Sequence, residues 1–170
     1  MKNYDTAAHQ FYTYQNLKSL PLKSWDIYST YFSTLCDESR DLVILQDLAK
    51  ENAWVTPIAF QEALVKHKQV IVVTDAQLNI VHATHNITQM NGYTLEETKG
   101  QKPKMFQGEL TSKEVTKKIG MAVKNEEPFE TVVLNYRKNG SQYKCWIKGQ
   151  PLFDNKGKVV NFIAFEREVA

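Results

Sequence analysis

The sequence predicts an α+β fold: a five-stranded antiparallel sheet with helices on one face, preceded by an N-terminal helical extension. Three observations predict it. From residue 69 onward, short β-branched and alternating segments replace the three- and four-residue apolar spacing that precedes them. Asn139-Gly140, a strong turn signal, lies between two alternating strands. The elements run helices, two strands, helices, three strands, dividing the chain into an extension of residues 1–68 and a sheet domain of residues 69–170.

Residues 1–23 carry aromatics without a clean period, and Pro21 interrupts any early helix. Trp25, Tyr28, Phe32 and Leu35 then recur at helical spacing behind Ser24, a good N-cap, which predicts a helix over 25–51. Asp37 and Ser39 are also good caps, so the segment CDES (36–39) is expected to break it in two. The second piece carries Leu42, Val43, Leu45 and Leu48. Thr56 followed by Pro57 predicts a further short helix running through Phe60 and Leu64 to His67.

QVIVVTD, ending at Asp75, and NIVHAT (79–84) read as the first two strands. Residues 85–127 hold short helical pieces and one longer helix near 112–125, capped by Ser112. The segment after Pro128 reads as a hairpin about Asn139-Gly140, and VVNFIAFEREV (159–169) is the last strand, after the turn DNKG (154–157).

Composition excludes several function classes. A chain of 170 residues with 42% hydrophobic and 24% charged content is an ordinary globular protein, not a disordered one. Its 21 basic and 19 acidic residues leave a net charge of +2, with no electrostatic footprint for nucleic acid or an anionic membrane. No secretory signal and no membrane-spanning stretch are visible. Cys36 and Cys145 are too few and too far apart for a disulfide framework, so a reducing cytoplasm is the expected setting. No structural metal site is expected, since His82 and His85 of HATH span a strand end where they face opposite ways. No nucleophile beside a base, no paired carboxylates and no phosphate-cradling glycine loop appear, so no catalytic residue is assigned.

The stretches MNGYTLEET (90–98), GQKPKMFQG (100–108), LNYRKNG (134–140) and FIAFERE (162–168) resemble the PAS superfamily, and within it the LOV photosensor branch. The resemblance implies a sensory fold over about residues 69–168. It also shows what is missing. The loop that supplies LOV domains with a flavin-attacking cysteine here carries Pro103, which has no nucleophile. The asparagine and arginine of that loop correspond to Lys102 and Lys104, and a second phosphate-binding arginine falls on Gly120. Gln107 and Asn135 are retained. The partner of Asn135 is Cys145, and the switchable glutamine of the last strand is Glu166. No cofactor is therefore expected, flavin included.

Alternation assigns the two sheet faces. If Asn135 faces the pocket as in the family, so do Thr131, Val133, Tyr143, Cys145, Ile147, Phe162, Ala164 and Glu166, with Gln107 and Met105 supplied by the loop. Glu166 lies near the C-terminus, which also suits an exposed or ion-paired side chain. The outer face carries Val132, Leu134, Tyr136, Trp146, Ile163 and Phe165, and so apolar a face must be covered. The stripe of Trp25, Tyr28, Phe32 and Leu35 is the expected cover, in cis or on a second subunit. These features predict a non-enzymatic sensory or protein-interaction module in bacterial-type signal transduction, acting as a homodimer or through a separate partner protein. A small-molecule sensor and a flavin photoreceptor without an adduct are the alternatives. No output domain follows the last strand, so signal is expected to pass through the N-terminal helices or a separate protein.

Overall fold

A computed structural model describes the backbone of residues 22–170 and the side chains from residue 29 onward. The chain divides after Cys36 into two compact units. The first contributes the start of a long helix, α1 (Leu22–Glu51), on which Tyr31, Phe32 and Leu35 are exposed. Of the predicted stripe, the side chains of Trp25 and Tyr28 lie outside the described residues.

The second unit, Asp37–Ala170, holds the rest of α1 and the whole sheet. Residues 37–68, assigned to the extension from sequence, thus pack in the same unit as the sheet. Their π-helical turn, Glu62–Lys66, is followed by β1 (Val70–Asp75) and β2 (Ile80–Ala83). Then come α2 (Ile87–Asn91), α3 (Leu95–Thr98), a 3-10 turn at Pro103–Phe106 and α4 (Lys113–Lys124). The chain finishes with β3 (Phe129–Tyr136), β4 (Gln142–Phe153) and β5 (Val159–Val169). The strands form one five-stranded sheet in the order β2-β1-β5-β4-β3, with antiparallel neighbours throughout.

Local chemistry fixes the connections. The β1–β2 turn closes on Asp75, whose Oδ1 accepts the backbone N–H groups of Gln77 at 2.9 Å and Asn79 at 2.8 Å. Thr94 and Glu97 form a reciprocal capping box on α3, and Ser112 caps α4. The β3–β4 hairpin turns through Gly140 at φ +83°, a left-handed conformation that glycine adopts without a steric penalty.

Two expectations are corrected. α1 does not break at 36–39, because Glu38 and Asp41 are turned toward the sheet domain and are buried. The helix predicted from Thr56-Pro57 begins only at Phe60. The preceding segment is irregular, with a bend at Thr56 and with Val55 donating to the Phe153 carbonyl at 3.1 Å.

Two apolar clusters flank the sheet. On the inner face Val70, Val72, Ile80, Ala83, Ile87, Met90, Phe106, Tyr143 and Cys145 pack together beneath the short helices. On the outer face Leu45, Phe60, Ala63 and Leu64 close over Ile71, Val73, Leu152 and Ile163, with Leu42, Trp54, Ile58 and Phe165 at the margin. The cover over this half is therefore the second half of α1 and the segment after it. Ile163 is fully buried in that cluster, so the interface role expected for it gives way to a core role.

Candidate functional site

The inner face carries a cavity of about 280 Å³, near the lower end of small-molecule pockets. Its floor is the sheet: Val72 and Thr74 of β1, Phe162, Ala164 and Glu166 of β5, Ile147 and Gly149 of β4, and Asn135 of β3. Its roof is α4, through Thr116, Ile119, Gly120 and Val123. No residue of α4 is fully buried, and its Ile119 and Val123 face the cavity. The rim is the loop Lys102–Gln107, with both lysines exposed.

Six of the eleven residues expected on the pocket side line the cavity: Gln107, Asn135, Ile147, Phe162, Ala164 and Glu166. Cys145 and Tyr143 face the same side but are sealed in the inner cluster, and Met105 packs against it. Alternation places a residue on a face; it does not say what lies on top of it.

Glu166 is the chemically unusual group. It is 4% exposed and sits between Val70 of β1 and Ile147 of β4 in the ladder. Among the described residues no basic side chain pairs with it, and its one recorded contact is the Cys145 thiol at 3.7 Å. Burial therefore pushes its carboxyl up to about 7, with the thiol's opposing pull the smaller effect. Burial and the neighbouring Glu166 charge in turn raise the Cys145 thiol, which is an inert group here. The expectation of an exposed or ion-paired Glu166 is thus corrected, because β5 is the central strand and apolar neighbours, Val70 and Ile147, flank Glu166 on both sides. Thr74 Oγ1, also on the cavity floor, is buried without a hydrogen-bond partner.

A second polar group joins α1 to the sheet. Asp41 Oδ2 accepts the His85 backbone N–H at 2.8 Å and lies 2.7 Å from His85 Nδ1. Its Oδ1 lies 3.3 Å from His82 Nε2, within ion-pair distance but without hydrogen-bond geometry. Burial alone would raise the Asp41 carboxyl; His82 and His85 outweigh it and hold it below the ordinary carboxylate value. One turn earlier, Glu38 accepts from Lys68 Nζ at 2.7 Å. Sequence reading misses this contact: it has His82 and His85 facing opposite ways at the strand end, whereas both lie against Asp41. The available signal was two acids, Glu38 and Asp41, spaced to share a face with Leu42 and Leu45. Among the described residues no cluster of three metal-ligating side chains occurs.

The β3–β4 half of the outer face stands outside the covering cluster. Val132 is 43% exposed and Leu134 is half-buried. Trp146, also half-buried, donates from Nε1 to Glu130 at 3.0 Å and lies 5.0 Å beneath the Arg167 guanidinium.

A five-stranded antiparallel sheet, short helices over one face and a cavity between them define an α+β fold with a pocket on its inner face. The chain belongs to the PAS domain family, whose model matches residues 68–170. It is similar to phototropin-2 of Oryza sativa subsp. japonica, at 34% identity over 113 residues covering 65% of this chain and 12% of the relative. It is similar to the Protein TWIN LOV 1 of Arabidopsis thaliana, at 34% over 110 residues covering 62% and 28%. The aerotaxis receptor of Escherichia coli K12 matches at 30% over 110 residues, covering 64% and 20%. The chain thus spans less than a third of the length of these relatives. Among solved structures, the dark structure of the aureochrome1 LOV photoreceptor superposes with a TM-score of 0.62 at 28% identity, covering 68% of this chain and 86% of that one. No helix among the described residues is long and apolar enough to cross a membrane.

Proposed function

We propose that the chain is a non-enzymatic sensory and protein-interaction module acting in cytoplasmic signal transduction, with its output carried by the outer sheet face, α1 and a second copy of the chain. The division of the outer face carries this reading. The β1–β5 half is sealed within the chain, whereas Val132, Leu134 and Trp146 remain outside that seal. An apolar patch of this kind on a sheet is an association surface. The exposed Phe32 and Leu35 supply further apolar surface on α1. A shift in sheet packing would bias a two-state dimer through the Asp41 contact. Light scattering at high protein concentration tests this. A homodimer is expected; a monomer contradicts it and leaves the patch to a separate signalling protein.

A second reading, a small-molecule sensor, is favoured by the cavity and its buried Glu166. Flavin does not fit this lining in the manner of the LOV relatives. Pro103 stands on the loop, no cysteine is among the lining residues, and the Cys145 thiol is sealed against Glu166. An acid also replaces an amide where the family reads the ring edge. When ionised, it offers acceptors only, and meeting a ring acceptor there is costly in a buried site.

A further inference from the structure

We propose that the inner-face cavity takes a small, flat organic base, an amidine or amine on an aromatic or similarly apolar body, with its N–H groups on the Glu166 carboxylate. The proposal rests on the small-molecule reading of this cavity and names the ligand chemistry.

Three observations carry it. Glu166 is a buried carboxyl lining the cavity, and among the described residues no cation pairs with it. Its ladder neighbours, Val70 and Ile147, cannot donate from their side chains, and the Cys145 thiol is a weak neutral donor, so a charged donor can reach it only from the cavity. A buried carboxylate without a partner is costly, and a charged N–H donor is the group that best offsets this cost. The rest of the lining suits such a ligand's body. Phe106, Phe129 and Phe162 place three aromatic rings around the space, and a cation beside aromatic faces is favourable in a desolvated site. Ile119 and Val123 close the roof with apolar surface. Asn135 supplies an amide at the polar end, and Thr74, four residues along β1 from the Val70 that pairs with Glu166, offers an unpartnered hydroxyl at the other. The rim lysines Lys102 and Lys104 would repel a cation, but both are exposed and screened by salt, whereas the Glu166 site is buried. The same lining disfavours an acid, which would meet the buried carboxylate directly.

The test uses the full chain and three matched probes: benzamidine, benzamide and benzoate. Binding is followed by ligand-observed NMR and calorimetry at about pH 5 and about pH 8. Benzamidine is expected to bind roughly tenfold or more tightly than benzamide, a gap of the size that one charge-assisted contact supplies. Benzoate is expected to bind more weakly still. Benzamidine should tighten as pH rises, because the carboxyl must give up its proton to pair. Glu166→Gln should remove the preference for benzamidine over benzamide while the amide spectrum stays that of a folded protein. Ala164→Leu, which narrows the same cavity, should weaken both probes; undiminished binding in it would place them elsewhere and overturn the proposal. Equal binding of all three probes, or a benzamidine preference that survives in Glu166→Gln, overturns the ligand class while leaving the cavity a binding site. Failure of every probe to bind overturns the small-molecule reading and the proposal together.

Discussion

Replacing Glu166 with glutamine keeps the side chain's size and removes its ionisation. The folded-state value of about 7 lies well above the ordinary 4.5, so the folded protein holds this proton more tightly than the unfolded chain. The sign follows directly. Folding stability from this group is fully present below about pH 4.5, falls as pH rises through the window to about 7, and is gone above it. At about 1.4 kcal/mol per unit, the loss across that window is about 3 kcal/mol. Glu166→Gln has no such slope. Its stability relative to the parent should therefore rise by about 3 kcal/mol between pH 4 and pH 8, roughly 1.5 M in urea midpoint at an m-value of about 2 kcal/mol/M. Asp41 titrates identically in both proteins and cancels in the difference. Urea unfolding of both proteins across this range measures the effect. A difference that does not change with pH would refute the reasoning, because it would mean that Glu166 is solvated or already paired.

Asp41→Ala should cost about 2 kcal/mol near neutral pH, since it removes charge-assisted contacts from a buried acid and strands the His85 N–H. Because the Asp41 carboxyl is held below its ordinary 3.8, the stability it provides is present above that value and is lost as pH falls through the lower folded-state value, so the variant's deficit should shrink in acid. Hydrogen exchange in the second half of α1 should quicken in this variant; unchanged exchange there would separate Asp41 from the helix contact. Val132→Asp, on the exposed part of the outer face, should shift a dimer toward monomer in light scattering with less than about 0.5 kcal/mol change in monomer stability. A dimer unaffected by it places the interface elsewhere.

The sheet was legible because its signals are local. Period-two alternation and Asn139-Gly140 located β3, β4 and β5, and β5 runs over 159–169 as read from sequence. Helix boundaries fared worse where tertiary contacts overrode local chemistry. Asp37 and Ser39 look like caps, but α1 continues because Glu38 and Asp41 find Lys68, His82 and His85 across the fold. Thr56-Pro57 looks like a helix start, but Trp54 and Ile58 are spent on the outer cluster and keep the segment before Phe60 irregular. The same limit applies to the site. Alternation placed Asn135, Phe162, Ala164 and Glu166 on the inner face, but only strand order reveals that β5 is central and Glu166 sealed. Tyr143 and Cys145 share that side and yet are covered, which depends on Phe106 and Met90 and not on period.

The most direct test of the central claim is native mass spectrometry of the purified chain, which reports subunit count and bound small molecules together. The account predicts particles of two chains and no flavin, with any retained small molecule an organic base. Particles of one chain, or a flavin mass carried by each chain, would contradict it.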